Sequence, residues 1–127
     1  MGYLNTINTS CSGAFATGTG NIIAKGNQLT CGMCNVSSTS AFFVVGNGSY
    51  VTASKYKELS DTEKAKYTTE TAPDGNTIYT IRKNAFVVHS DGRATVGANP
   101  KNDMDVVTKS YLENMTFPTW TPNEGGY

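Results

Sequence analysis

The chain has 127 residues, a length typical of one domain, and its ten basic side chains balance ten acidic ones. Zero net charge argues against nucleic acid or an anionic membrane as the partner, because both favour a basic protein surface. Only 16% of the residues are charged and 38% are hydrophobic. A single copy would therefore have a thin core, and we expect contacts between copies of the chain to bury the remaining apolar surface.

The first segment, residues 1–12, is polar and is predicted to be an extended lead-in. It lacks the basic start and the apolar run of a signal peptide, so we expect no secretion signal. Residues 13–56 form a repeat region in which the sequence recurs with a period of 14. One column of the repeat holds Phe15, Leu29 and Phe43, and the column three positions later holds Gly18, Gly32 and Gly46.

A repeat unit of this length is too short for a pair of helices but long enough for two short strands and two turns. The repeat therefore predicts a mainly β fold, a short β-roll or β-prism whose coils bury apolar surface only against neighbouring coils.

Residues 57–82 interrupt this rhythm and are predicted to be an inserted helix and hairpin that protrude from the surface. Ser60 and Glu63 form a capping box before a short helix over residues 61–66. Pro73, Asp74 and Gly75 provide the turn of the hairpin. A second β-hairpin is expected over residues 83–99.

Residues 100–115 are predicted to contain a helix that starts near Asp103, with Asn102 or Asp103 as its cap. Its apolar side chains fall at spacings of three and four, which is the pattern of one helix face: Met104, Val107, Tyr111 and Met115. We expect this face to serve in trimerisation or in attachment to another protein. Residues 116–127 are expected to form an extended tail.

The repeat resembles the 14-residue head repeat of trimeric autotransporter adhesins, through Phe15-Ala-Thr-Gly18, Leu29-Thr-Cys-Gly32 and Phe43-Val-Val-Gly46. The order of later motifs is more similar to phage tail-fibre and minor structural proteins, through Ala41 to Gly48, Asn84 to Gly92 and Val106 to Glu113. This resemblance implies a parallel homotrimer with a β-roll or β-prism body, located on a virion appendage and made in the host cytoplasm.

Cys31 and Cys34 form a CxxC motif, which in other settings is a redox pair or half of a zinc site. No second ligand pair follows, and the repeat places Cys31 at a strand position and Cys34 at a turn, so we interpret both as structural thiols. The alternative is a metal bound by three copies of Cys34 or Cys11 that a trimer would bring together at its axis. We predict no metal and no cofactor.

Catalysis is not expected. His89 is the only histidine, and the carboxylates mostly occupy caps and turns, where they have local roles: Glu58, Asp61, Glu63, Glu70, Asp74, Asp91, Asp103, Asp105, Glu113 and Glu124. Asp103 and Asp105 could form a cation site, but a helix-capping role already explains both residues, so we do not predict one.

Exposed aromatic residues are the main binding candidates, because their rings can stack on sugars or on a protein partner. The candidate binding residues are Tyr67, Tyr79, Asp74, Asn76 and Trp120, and Tyr50, Tyr56 and Tyr127 are further aromatic candidates. Trp120 is interpreted chiefly as an anchor for the tail on a neighbouring subunit.

The sequence predicts a non-enzymatic virion protein that binds itself, other virion proteins and a host-surface glycan or protein. The alternatives are the head fragment of a bacterial trimeric surface adhesin and a glycan-cleaving tail-spike module.

Overall fold

The computed structural model describes residues 2–115 and is mainly β, with 37% in strands and 13% in helices, as the sequence predicts. The strands of the described part are β1 (Thr6–Ile7), β2 (Phe15–Ala16), β3 (Ile22–Ile23), β4 (Leu29–Met33), β5 (Ala41–Asn47), β6 (Ser49–Thr52), β7 (Thr68–Thr71), β8 (Thr77–Ile81), β9 (Asn84–His89) and β10 (Ala94–Val96). Its helices are α1 (Ala53–Lys57), α2 (Asp61–Lys64) and α3 (Lys109–Asn114).

The largest sheet has five strands in the order β10-β9-β5-β4-β2. β2, β4 and β5 are parallel, and their register pairs Phe15 with Leu29 and Leu29 with Phe43. Residues of one repeat column are therefore partners across neighbouring strands. β9 pairs antiparallel with β5, and β10 pairs antiparallel with β9, so a hairpin lies within residues 83–99.

The start of the chain is more than the expected lead-in. β1 pairs in parallel with β3, with Thr6 opposite Ile22, and Tyr3 forms a bridge to Thr19. The offset between these partners is two positions longer than the repeat period. Residues 2–8 thus pair with the first repeat as another strand-and-turn unit, whose spacing differs from the repeat period.

A glycine column allows the turns of successive units to stack in close contact. Gly18 and Gly32 have φ values of +94° and +87°, which L side chains rarely adopt. A Cβ atom at Gly18 would lie 2.0 Å from the carbonyl oxygen of Gly32, and one at Gly32 would lie 2.2 Å from that of Gly46. Glycine is therefore required here for backbone conformation and for space.

An asparagine ladder runs beside the glycine column and satisfies the backbone of the turns. The Asn21 Nδ2 atom donates to the carbonyl oxygens of Thr17 and Gly32 at 2.7 and 3.0 Å, and its Oδ1 accepts the backbone N–H of Asn35 at 3.2 Å. The Oδ1 of Asn35 accepts the N–H of Ile22 at 2.7 Å. Both side chains are fully buried.

Two further asparagines extend the ladder at its ends. The Oδ1 of Asn5 accepts the N–H of Asn21 at 2.9 Å, and the Oδ1 of Asn84 accepts the N–H of Val36 at 2.8 Å. Because buried peptide groups need partners, the ladder supplies hydrogen bonds to turn peptides in addition to those between neighbouring backbones.

The inserted segment begins earlier than residue 57. β6, β8 and β7 form a separate three-stranded antiparallel sheet in that order, with Thr52 opposite Ile78 and Glu70 opposite Ile78. Residues 49–52, predicted as part of the third repeat, therefore belong to the inserted sheet. The Thr52 and Ser60 hydroxyls cap α1 and α2, accepting the N–H groups of Lys55 and Glu63.

The predicted helix from Asp103 is wrong in its first half. Residues 102–105 form a turn in which the Asp105 carboxylate accepts the N–H groups of Lys101 and Asn102 at 2.8 and 2.9 Å, and these bonds lower the pKa of Asp105. α3 starts only after Thr108, whose hydroxyl accepts the N–H of Tyr111 at 3.0 Å. A local side-chain turn has displaced the first helical turns.

The apolar core of the described part is small. One cluster consists of Cys11, Ala16 and Ile23, and a second of Ala41, Val44 and Val87. Several of the most deeply buried side chains are polar: Asn21, Gln28, Thr30, Asn35 and Thr80. Much of the interior is thus formed by hydrogen-bonded polar side chains, and little apolar surface is buried within one copy.

Candidate functional site

The five-stranded sheet has one face that is only partly covered by the rest of the described chain. Ala16, Thr30, Val44 and Val87 on its inner face are buried. The alternating positions point to the opposite side, which we call the outer face: Phe15, Leu29, Cys31, Phe43, Val45, Phe86, Val88 and Val96.

The outer face is apolar and partly exposed to solvent. Phe15 and Leu29 are 47% and 40% exposed. The Phe43 and Phe86 rings contact each other edge to face, with centroids 6.1 Å apart. A contiguous apolar sheet surface of this kind is characteristic of a protein–protein interface.

The segment before α3 borders this surface. Phe86 and Val96 line an apolar groove of about 520 Å³ together with Val106, Val107 and Lys109. Of the predicted helix stripe, Val107 thus lies in a groove, whereas Met104 is 94% exposed and precedes the helix. Tyr111 and Met115 lie in and just after α3, so the four residues do not form one helix face.

The three-stranded sheet is attached to the strand-and-turn units by Arg82. Its guanidinium donates to both carboxylate oxygens of Glu70 at 2.8 and 2.7 Å, and to the carbonyl oxygens of Gly20 and Asn35 at 2.8 and 3.2 Å. The Thr80 hydroxyl also donates to Glu70. The Arg82 hydrogen bonds hold the pKa of Glu70 below its ordinary value, against a smaller opposing effect of burial.

A cavity of about 200 Å³ lies between this sheet and the start of the chain. Tyr3 and Leu4 line one side, Tyr50 and Ile78 come from the sheet, and the hairpin turn contributes Asp74. The remaining lining residues are Thr52, Ala53, Asn76 and Thr77. Strand alternation puts Tyr50, Thr52 and Ile78 on the same face of the sheet, which brings them to the cavity.

Hydrogen bonds within the turn fix the polar side of the cavity. The Asp74 carboxylate accepts the backbone N–H of Asn76 at 3.0 Å and its Nδ2 at 3.2 Å. On the opposite side Leu4 has a φ of +57°, an uncommon conformation for a bulky residue. No cationic side chain lines the cavity in the described part of the chain.

The predicted binding residues divide between two places. Asp74 and Asn76 line the cavity, whereas Tyr67 and Tyr79 lie on the other face of the sheet, where both contact Tyr56. The Tyr56 and Tyr79 rings stack 3.6 Å apart at 4°, and Lys64 Nζ lies 5.4 Å from the Tyr56 centroid. These rings pack α1 and α2 on the sheet. Trp120 lies outside the described residues.

Sequence reasoning did not identify Tyr3 or Leu4 as part of a site. The signal available was the equal spacing of Gly2 from Gly18 and of Asn5 from Asn21, which pairs the start of the chain with the first repeat.

The three cysteines are free thiols. Cys34 is fully buried, has a φ of +45° and occupies a turn, and burial raises its thiol pKa. Cys11 is also buried, while Cys31 is half-buried on the outer face. Cys31, not Cys34 or Cys11, is therefore the thiol that a neighbouring copy on this face would meet.

His89 hydrogen bonds through Nε2 to the Thr95 hydroxyl at 2.8 Å. Within residues 2–115, no group of three or more His, Cys, Asp or Glu side chains is arranged to hold a metal ion. In the same part of the chain, no helix has the length and apolar character needed to span a membrane.

No protein-family model matches the chain, and neither a curated protein nor a solved structure is significantly similar to it.

Proposed function

We propose that this chain is a structural and receptor-binding component of a phage virion appendage, a tail fibre or head fibre. In this proposal it is non-enzymatic, forms a parallel homotrimer with a β-roll or β-prism body of stacked repeat coils, and attaches to other virion proteins and to the host surface. The motif order supports it, and the pairing of Phe15, Leu29 and Phe43 across parallel strands agrees with stacked coils.

The observation that carries the proposal is the partly exposed apolar outer face. Its row of Phe15, Leu29, Phe43 and Val88 runs across four strands. Burial of apolar surface stabilises proteins by about 25 cal/mol per Å², and the small internal clusters supply little of it. Three copies that join their outer faces would share the apolar burial that one copy lacks.

A trimer gives the proposed attachment its strength. Three identical receptor sites on one rigid body bind a host surface with an avidity that can exceed single-site affinity by roughly 10²–10⁴. The three-stranded sheet is our candidate for the recognition surface, because Arg82 bonds it to the body while its hairpin turn is exposed.

Binding to cells tests this proposal together with a matched pair of variants. Leu29→Ser places a hydroxyl in the outer face, whereas Val36→Ser changes a residue that is 47% exposed but lies outside the strands of the sheet. Labelled wild-type chain should be retained on bacteria that the phage encoding it infects.

The Val36→Ser variant should bind like the wild type, and Leu29→Ser should bind at least tenfold more weakly because avidity is lost. Equal binding by both variants, or release of oligosaccharides from the cells by the wild type, would contradict the proposal.

A further inference from the structure

We propose that the cavity formed by Tyr3, Tyr50, Asp74 and Asn76 binds one neutral sugar residue of a surface glycan. This inference rests on the proposed function, because it names the receptor class that the appendage would recognise. The cavity joins the start of the chain to the inserted sheet, so its residues come from positions 3–4, 50–53 and 74–78.

The first argument is the combination of side chains. Tyr3 is 56% exposed and Tyr50 is half-buried, so both rings can offer an apolar surface with a hydroxyl at one end. Leu4 and Ile78 complete the apolar part. A pyranose ring has the corresponding two-sided character, with C–H groups on its faces and hydroxyls around its edge.

The second argument is the fixed polar pair. Because Asn76 donates to both oxygens of the Asp74 carboxylate, the two side chains are held side by side before any ligand arrives. Each carboxylate oxygen retains a further lone pair, and an amide has both donors and an acceptor. One hydroxyl of a sugar can donate to the Asp74 carboxylate, and a neighbouring hydroxyl can donate to or accept from the Asn76 amide.

The third argument is charge and size. Among the described residues the lining contains one carboxylate and no cation, which disfavours phosphate, sulfate and acidic sugars. A volume of about 200 Å³ is below the roughly 300–1,000 Å³ of sites for drug-sized ligands, so the cavity accommodates one ring of a longer chain. A protein receptor would instead need a wider contact surface.

Saturation-transfer NMR of the full chain tests the inference. The probes are methyl glucoside, methyl galactoside and N-acetylglucosamine, with glucuronic acid as the acidic comparison. At least one neutral probe should bind with a Kd of about 1 mM, a weak affinity consistent with a small site that relies on avidity.

Two variants locate the binding. Tyr3→Ala removes the exposed ring but keeps the backbone hydrogen bonds of residue 3 to Gly18 and Gly20. Asn76→Ala removes the side-chain amide. Each should weaken binding at least tenfold, whereas Asn47→Ala, an exposed asparagine that does not line the cavity, should leave it unchanged. The thermal midpoint of each variant checks that it is folded.

In the NMR experiment, three results would overturn the inference: no binding of any neutral probe, equal binding by Tyr3→Ala and wild type, or preference for glucuronic acid. Failure of neutral sugars to compete with cell binding would also overturn it and would favour a protein receptor. A trimer that binds cells without binding sugars would refute this inference and leave the proposed function standing.

Discussion

Replacing Arg82 with methionine should weaken the attachment of the inserted sheet to the rest of the fold. Methionine keeps an apolar stem of similar length but removes the hydrogen bonds to Glu70 and to the carbonyl oxygens of Gly20 and Asn35. The Arg82 and Glu70 side chains are 17% and 23% exposed, so water compensates only in part.

The expected cost follows from this burial. Breaking a buried ion pair by removing one partner costs about 3–5 kcal/mol, and because this pair is only partly buried we expect about 3 kcal/mol. For a domain of this size, such a loss lowers the thermal midpoint by roughly 10 °C.

Arg93→Met is the matched control. Arg93 Nε lies 2.8 Å from the Asp91 carboxylate, the same distance as between Arg82 and Glu70, but these side chains are 67% and 58% exposed. An exposed pair contributes about 0–1 kcal/mol. Urea unfolding at one fixed protomer concentration measures both variants. Equal destabilisation by the two substitutions would refute the reasoning.

Acid should reduce the difference between wild type and Arg82→Met. Arg82 holds the pKa of Glu70 below its ordinary value of 4.5, so the pair stabilises the fold above pH 4.5. This contribution is lost as pH falls through the lowered pKa, where Glu70 becomes protonated in the folded state. A gap in unfolding free energy that stays constant from pH 7 to strongly acidic conditions would contradict this assignment.

Three further predictions concern the turns and the thiols. Gly32→Ala should destabilise by several kcal/mol more than Gly75→Ala, because both have a φ of +87° but only Gly32 has a carbonyl oxygen within 2.2 Å of the added Cβ; similar unfolding midpoints would disprove the stacking argument. Asn35→Asp should lower the free energy of unfolding in urea by about 3 kcal/mol, because a carboxylate cannot donate to the carbonyl oxygens of Ile22 and Val36 as the Asn35 Nδ2 atom does. A change below about 1 kcal/mol would contradict the role of the ladder. In alkylation at pH 8, Cys34 should react far more slowly than Cys31, because it is fully buried and burial raises its pKa; mass mapping that finds equal labelling would refute this placement.

The sequence was informative where two columns had independent physical reasons to recur. Gly32 must leave space for a carbonyl oxygen, and Asn35 must satisfy a turn, so both recur at the same spacing. This spacing predicted which residues of β2, β4 and β5 are partners. The unit at the start of the chain was not predicted, because its residues lie two positions further from their partners than the repeat period. Gly2 and Asn5 nevertheless have the same roles there as the glycine and asparagine columns of the repeat.

The end of the repeat could not be read from local sequence. Ser49 occupies the asparagine column of the third repeat, but β6 pairs with β8 and the next place in the ladder is taken by Asn84. The Asn84 side chain reaches Val36, 48 residues away in sequence. Hydrophobic periodicity contains no information on such a distant replacement.

The cavity was equally hidden, because its walls come from three separated segments. The turn chemistry of Asp74 predicted the hairpin and its exposure. It did not predict that Tyr3 would lie opposite, since this depends on how Arg82 orients the inserted sheet. The helix prediction failed for a local reason: Asp105 closes a turn that competes with helix formation.

The most direct test of the central proposal is the mass of the native protein in solution. Light scattering coupled to gel filtration should give three times the 13.6 kDa of one chain. The Leu29→Ser variant should shift towards one chain, and Val36→Ser should not. A wild-type protein that is folded and monomeric at 13.6 kDa would contradict the account, because its outer face would then remain exposed without a partner.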